Sequence, residues 1–169
     1  MLLLAACGPV EGPRGDGPEA SSSVAVDEFA RANDLAGLTR ARVTVGEGDG
    51  ALVVDALVAD TDAARARGLQ GVPEVPDGVG MLFAFDGPPG PGGRPGFWML
   101  DTLVPLDIAF AADGVVVGIA TMVPCTARPC PVTHPGVAYD VALEVAAGVL
   151  TDAGIVPGDL FVRQDGAAG

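Results

Sequence analysis

The sequence predicts a mainly β protein, a compact single domain of β-sandwich or barrel-like type with one or two short helices. Three observations support this. Between residues 40 and 164 the apolar residues occur in short runs of the β type. Turn residues separate these runs, in a chain with 25 glycines and 15 prolines. The length of 169 residues suffices for one domain with a hydrophobic core and an extension.

The first half of this domain mixes strand and helix patterns. The predicted elements are a short helix over 26–37, a hairpin of strands 41–45 and 51–60 joined at 46–50, a helix over 61–71 and a buried strand over 79–85. Thr61 is a good N-cap for the second helix, which alanine and arginine favour and which Gly68 or Gly71 ends.

The second half begins with a loop over 86–96 that is too rich in proline and glycine for a regular element. The elements after it are strands 97–102 and 106–111, a tight turn at 112–114, strands 115–123 and 138–148, a short helix over 148–155, a turn at 156–159 and a strand over 160–163. Strand 97–102 would carry large apolar side chains on both faces, which predicts a central strand or one covered on both sides.

The N-terminal residues predict a lipid-anchored protein. Leu4-Ala5-Ala6-Cys7 resembles a bacterial lipobox, in which small residues precede the cysteine that is lipidated, so residues 1–7 are interpreted as a truncated lipoprotein signal. Residues 8–39 are predicted as a flexible Gly/Pro/Ser tether with one possible short helix, and residues 165–169 as a disordered tail. We therefore expect an extracytoplasmic domain that is anchored to the cell membrane through Cys7, or secreted.

The remaining cysteines, Cys125 and Cys130, lie in a proline-rich loop. Two free thiols there would be a liability outside the cell, so we predict one disulfide. A zinc site would need more ligands than the nearby His134. A redox pair usually separates its cysteines by two residues at a helix start, so this alternative is also less favoured.

Charge limits the partners. All nine basic residues are arginine, and the formal net charge is −13 at pH 7. Such a surface repels phosphate backbones, so we expect no nucleic acid partner. No motif predicts a cofactor or a metal, and we expect a monomer.

Short motifs over roughly residues 52–163 follow one another in the order and spacing of a known family. They are Arg65–Leu69, Gly80–Phe83, Phe97–Met99, Thr102, Leu106–Ile108, Asp113-Gly114, Leu143-Glu144, Gly148 and Pro157–Asp159. This series resembles the domain of unknown function 192 family (DUF192). The resemblance implies a compact β-rich, sandwich-like domain that is often secreted, and it implies no established reaction, cofactor or substrate. The chain departs from the family at Gln70, where methionine is usual, and at Leu100-Asp101, where a Lys-Asn pair is usual.

Six residues form the candidate ligand site: Arg65, Arg67, Trp98, Thr102, Asp107 and Glu144. Apolar walls with a few placed polar groups are typical of small-molecule sites. Asp107 and Glu144 each lie between apolar residues, so each carboxylate must be paired, hydrogen-bonded or solvated. Arg65 and Arg67 are the expected partners. Structural ion pairs and a plain core strand are the alternatives to a binding site.

These observations favour a non-enzymatic domain that binds a small ligand or a component of the cell envelope. A hydrolase that uses Asp107 or Glu144 is a second hypothesis, and two-carboxylate catalysis would need both groups across one cleft. A structural or protein-interaction module of the envelope, with the acidic surface as its contact, is the third.

Overall fold

The computed structural model of the protein describes residues 18–87 and 93–166, and its side chains from residue 24 onward. The predicted lipobox with Cys7 lies outside the described residues. The elements are α1 (Pro18–Ala32), β1 (Thr39–Val45), β2 (Leu52–Ala59), α2 (Asp62–Arg67), β3 (Val79–Ala84), β4 (Phe97–Trp98), β5 (Leu106–Ala112), β6 (Val115–Met122), β7 (Val132–Thr133), β8 (Val141–Ala146), α3 (Val149–Asp152) and β9 (Phe161–Asp165), with a single 3-10 turn at Gly48–Gly50.

Seven strands form one sheet in the order β6-β5-β8-β3-β2-β1-β9, and β4 pairs with β7 in a separate two-stranded sheet. The β2–β3 pair is parallel and the other pairs are antiparallel. The two edges of the large sheet meet at one end, where the Val116 N–H donates to the Asp159 carbonyl over 2.9 Å and Val115 bridges Leu160. The sheet is therefore curled into a half-barrel, which confirms the predicted mainly β, barrel-like fold.

Each face of the curled sheet has its own hydrophobic core. The inner core consists largely of small and β-branched side chains, and Leu150 and Ile155 close it from the α3 region. The outer core contains the larger side chains of β3 and β5 and is covered by α1 and the segment after α2. Because side chains alternate between the two faces along each strand, the central strands are apolar throughout. The six residues of β3 are all buried.

The local turn and cap predictions are confirmed. The Thr61 side chain accepts a hydrogen bond from the Ala64 N–H at 3.1 Å, as an N-cap does. Gly68 ends α2 with a φ of 49°. Asp113 and Gly114 join β5 to β6 with φ values of 50° and 77°, the left-handed conformation that a two-residue hairpin turn requires.

Three predicted boundaries differ from the structure. The region predicted as a tether contains α1, whose Val26, Phe29 and Ala30 are buried in the outer core, so the packed domain begins before residue 40. Residues 165 and 166 are held in place, since Asp165 ends β9 and the Gly166 N–H donates to the Arg40 carbonyl at 2.9 Å.

The predicted strand over 97–102 is the third difference, and the prediction of a central strand is wrong. Only Phe97 and Trp98 pair as a strand, with β7. Asp101 adopts a left-handed φ of 58°, which ends the extended run. The segment covers the outer face of the large sheet instead of joining it, so Met99 is buried while Trp98 is 45% exposed.

Candidate functional site

A cleft of about 290 Å³ opens on the outer face of the sheet. Its lining comes from α2 and the residues after it, the end of β3, the segment 95–98, and one side chain each from the 99–105 loop and from β8. Five of the six predicted site residues lie here: Arg65, Arg67, Trp98, Thr102 and Glu144. Asp107 is not among them. The fold thus brings together residues as far apart in the sequence as Arg65 and Glu144.

Aromatic rings form much of the cleft wall. The rings of Phe83 and Phe97 meet edge to face at a centroid distance of 4.9 Å. The guanidinium groups of Arg65 and Arg94 each lie 5.1 Å from the centroid of the Phe85 ring. Contacts of this kind hold the rings in fixed orientations and leave an apolar surface toward the cleft.

Glu144 is the buried carboxyl of the cleft. It is only 5% exposed, because β8 is a central strand and places Glu144 opposite Met81 of β3 and Ile108 of β5. Within the part of the chain that the structure describes, its carboxyl has no hydrogen-bond or ion-pair partner. Burial raises the pKa of Glu144 to about 8, since a desolvated carboxylate without a counter-ion is unfavourable.

Thr102 adds a second buried polar group beside the cleft. It is 5% exposed, and its backbone N–H donates to the Met99 carbonyl at 3.2 Å in the turn after β4. Its hydroxyl makes no hydrogen bond with any of the residues described. Thr102 and Glu144 therefore both line the cleft with unused hydrogen-bonding capacity, which a water or a ligand in the cleft can satisfy.

Arg65 and Arg67 do not pair with Asp107 or Glu144, so that prediction is wrong. Arg65 donates from Nη1 to the carbonyls of Asp60 and Ala84, at 2.5 and 2.7 Å, and from Nη2 to the Asp62 carboxylate at 2.7 Å. Arg67 donates from Nη2 to the Asn33 carbonyl at 2.7 Å. Arg65 therefore fixes α2 to the end of β3, and Arg67 joins α2 to the loop after α1.

Asp107 lies on the opposite face of the sheet. It pairs in register with Val145, and residues directly opposite each other share a face, so Asp107 and Glu144 point to opposite sides. The Asp107 carboxylate accepts hydrogen bonds from the Thr121 hydroxyl at 2.6 Å and from the N–H groups of Gly148 and Leu150 at 2.9 and 3.1 Å. These three donors satisfy the carboxylate and give it a structural role at the start of α3.

Several cleft residues were not predicted from the sequence. Phe83 and Phe85 line the cleft, and their spacing of two along β3 and its continuation is the signal that could have placed them on one face. Gln70, at the position where the family usually has methionine, also lines the cleft. Pro95 and Gly96 lie in a glycine- and proline-rich segment whose path the sequence does not indicate.

The predicted disulfide between Cys125 and Cys130 is present, with a Cα–Cα distance of 5.9 Å. It closes the loop that carries Arg128, whose guanidinium lies 4.7 Å from the centroid of the Trp98 ring. His134 is exposed, and its Nδ1 accepts a hydrogen bond from the Gly136 N–H at 2.9 Å. Across 18–87 and 93–166, no group of three or more His, Cys, Asp or Glu residues is placed to hold a metal ion. No helix of the described residues is long and apolar enough to span a bilayer.

Comparison with known proteins gives one family and two similar folds. The model of the family DUF192, described as "Uncharacterized ACR", matches residues 43–162. A protein of unknown function from Novosphingobium aromaticivorans DSM 12444 is 31% identical and superposes with a TM-score of 0.63, over 76% of this chain and 88% of its own. A protein from Sinorhizobium meliloti 1021, described as a candidate transcription regulator, is 27% identical with a TM-score of 0.63, over 75% and 95%. None of the curated proteins compared with the chain matches it.

Proposed function

Because the chain belongs to the DUF192 family, whose description names no reaction, we propose a function from the cleft itself: the domain binds a small organic ligand there, outside the cytoplasm, where a lipid on Cys7 anchors it to the membrane. The family match over residues 43–162 confirms the resemblance drawn from the motifs. The proposed ligand comes from the cell envelope, since that is the compartment the tethered domain would meet.

The observation that carries the proposal is the 5% exposed Glu144, which has no partner within the described chain and lines a cleft with aromatic walls. Its carboxyl borders the cleft and can form hydrogen bonds there that no residue of the described chain supplies. Thr102, which lines the same cleft, repeats the pattern. Such groups are expected where a bound molecule completes the hydrogen bonding, whereas Asp107 shows how the same fold satisfies a carboxylate that has a structural role.

Two features support the proposed location. Leu4-Ala5-Ala6-Cys7 fits a lipobox, and residues 8–17 contain two prolines and four glycines with few side chains to bury. The disulfide between Cys125 and Cys130 is of the kind that persists in oxidising compartments. Labelling of the wild-type chain by a radiolabelled fatty acid, lost in Cys7→Ala, tests the anchor. Equal labelling of both chains would reject it.

The position of Asp107 gives no support to a two-carboxylate hydrolase, since that carboxylate and Glu144 face opposite sides of the sheet. Trp98, which is the only tryptophan of the chain, lines the cleft at 45% exposure and offers a direct readout of binding. We expect its emission to shift to shorter wavelength when fractions of envelope-derived small molecules are added to the full chain, because a ligand would exclude water from the indole ring.

A matched pair of variants on α2 makes this test specific. Ala66 is exposed and lines the cleft, whereas Ala63 is exposed and does not. Ala66→Phe adds bulk within the cleft and should abolish the spectral response, while Ala63→Phe should keep it. An equal response in both variants, or no response of the wild type to any fraction, would reject the proposed binding function.

A further inference from the structure

We propose that the ligand is a zwitterion with an apolar body, an α-amino acid or a short peptide, whose ammonium group binds Glu144 and Thr102 and whose carboxylate binds Arg67. This inference rests on the proposed binding function and assigns its chemical class. Among the residues that the structure describes, four charged ones line the cleft: Asp62, Arg65, Arg67 and Glu144. Their states of pairing decide which charges remain for a ligand.

Two of these charges neutralise each other. Arg65 and Asp62 form an ion pair of 2.7 Å, and the Arg65 guanidinium also donates to the carbonyl oxygens of Asp60 and Ala84 and lies against the Phe85 ring. This guanidinium is therefore engaged on several sides and does not serve as the counter-ion of Glu144. One carboxyl and one guanidinium remain, those of Glu144 and Arg67.

Glu144 and Thr102 together suit an ammonium group. An ammonium has three N–H donors and no acceptor, while a carboxylate and a hydroxyl oxygen offer acceptors. Both side chains are 5% exposed and lack partners among the residues described. A charge-assisted hydrogen bond in such a desolvated site is stronger than one between neutral groups. A bound ammonium would favour the ionised form of Glu144, because an opposite charge beside a carboxyl stabilises the carboxylate.

Arg67 suits the carboxylate of the same ligand. It is an exposed side chain whose one hydrogen bond within the described chain goes from Nη2 to the Asn33 carbonyl. A guanidinium has five N–H donors, so several remain to form a bidentate contact with a carboxylate. With the Asp62–Arg65 pair neutral, the described lining offers Arg67 as a positive group and Glu144, once a bound ammonium ionises it, as a negative group. This charge pattern is complementary to a zwitterion.

The rings of the cleft define the rest of the ligand. Phe83, Phe97 and Trp98 line it, and they would contact an apolar side chain between the two charged ends. A cleft of about 290 Å³ limits the size to a single amino acid or a short peptide. An amine without a carboxylate would leave Arg67 unused, and a carboxylate without an amine would leave Glu144 unused.

Isothermal titration calorimetry of the full chain tests the inference. L-phenylalanine and L-leucine are the probes, with phenethylamine and 3-phenylpropanoate as analogues of L-phenylalanine that each lack one charged group. We expect binding of at least one amino acid, and binding that is about 10- to 100-fold weaker for both analogues. Because burial keeps the Glu144 carboxyl largely protonated at pH 6.5, with a pKa of about 8, binding of an ammonium should release up to one proton. That release is measured from the dependence of the heat on the ionisation enthalpy of the buffer.

Single substitutions assign the two ends. Glu144→Gln, which is close in shape, should abolish the proton release and weaken amino-acid binding, and Arg67→Gln should weaken binding without changing the proton release. Thr102→Val should weaken binding as a second test of the ammonium end. Glu47→Gln and Arg163→Gln, at exposed positions outside the cleft, are the matched controls and should bind like the wild type.

Two results would overturn the inference. Binding of either analogue as tightly as L-phenylalanine would show that one of the charged contacts is absent. The zwitterion class would then be rejected, and the proposed binding function would apply to another class of ligand. Failure of both amino acids to bind would reject the zwitterion class, while the response of Trp98 to the envelope fractions decides the binding function separately.

Discussion

Replacing Glu144 by glutamine should make the protein more stable at pH 8 and should change how its stability depends on pH. The wild-type carboxyl is 5% exposed, and burial raises its pKa from the ordinary 4.5 to about 8. Below pH 4.5 the carboxyl is protonated in both the folded and the unfolded chain, and the two states bind the same number of protons. Between pH 4.5 and 8 the unfolded chain releases the proton while the folded chain retains it. The contribution of Glu144 to the stability of the fold therefore decreases as the pH rises through this interval.

The size of the effect follows from the same interval. One proton held only by the folded state changes the free energy of unfolding by about 1.4 kcal/mol per pH unit. From the ordinary pKa of 4.5 to the raised pKa of about 8, the total is about 5 kcal/mol. Glutamine does not titrate, so this loss is absent in Glu144→Gln.

Urea denaturation of both chains from pH 4 to pH 9 measures the effect. The quantity of interest is the difference between the two unfolding free energies, because the other carboxylates contribute equally to both chains and cancel. This difference should change steadily in favour of Glu144→Gln as the pH rises, and it should level off above pH 8. Glu47→Gln, at an exposed position, should show a constant difference from the wild type. Parallel wild-type and Glu144→Gln profiles would refute the interpretation of Glu144 as a buried, unpaired carboxyl.

Three further substitutions test the structural roles assigned above. Asp107→Ala removes the acceptor of three hydrogen bonds and should lower the free energy of unfolding by about 3 kcal/mol; a loss below about 1 kcal/mol in urea denaturation would contradict its role at α3. Gly80→Ala would place a Cβ atom 2.6 Å from the carbonyl oxygen of Glu144, so the thermal midpoint should fall and the free energy of unfolding should decrease by about 1–3 kcal/mol. An unchanged midpoint would show that β3 and β8 can move apart without a loss of stability. Replacing Cys125 and Cys130 together by serine opens a short loop and should lower the free energy of unfolding by about 2 kcal/mol. Equal urea midpoints under oxidising conditions would show that the disulfide does not stabilise the fold.

Much of the fold follows from patterns that are local in sequence. Alternating apolar residues and glycine-containing turns predict the hairpins, and Thr61 marks the start of α2 through a hydrogen bond to a residue three positions away. Pairing between distant strands is not local. Which residue of β5 lies opposite Glu144 depends on the register, and a shift by one residue would exchange the faces of Asp107 and Glu144. The sequence therefore could not decide that only one of the two carboxylates enters the cleft.

The segments that cover the outer face were the least predictable. In α1 the side chains of Val26 and Phe29 are buried because they pack against the outer face of the sheet, a contact between segments that are distant in sequence. The apolar residues after β4 have a strand-like pattern, but the left-handed conformation of Asp101 ends the extended run and Met99 packs into the outer core. Arg65 was predicted to pair with a buried carboxylate, but its guanidinium donates instead to two nearby backbone carbonyls and to the Asp62 carboxylate.

Native mass spectrometry of the full chain tests the central claim, that the outer cleft binds a small molecule, most directly. The wild type, Ala63→Phe and Ala66→Phe are equilibrated with the same envelope-derived small molecules and compared under identical conditions. The wild type and Ala63→Phe should each carry one added mass that disappears on denaturation, and Ala66→Phe should carry none. The same added mass on all three chains would place the bound molecule elsewhere, and a bare mass for all three would contradict the claim that this cleft binds a ligand.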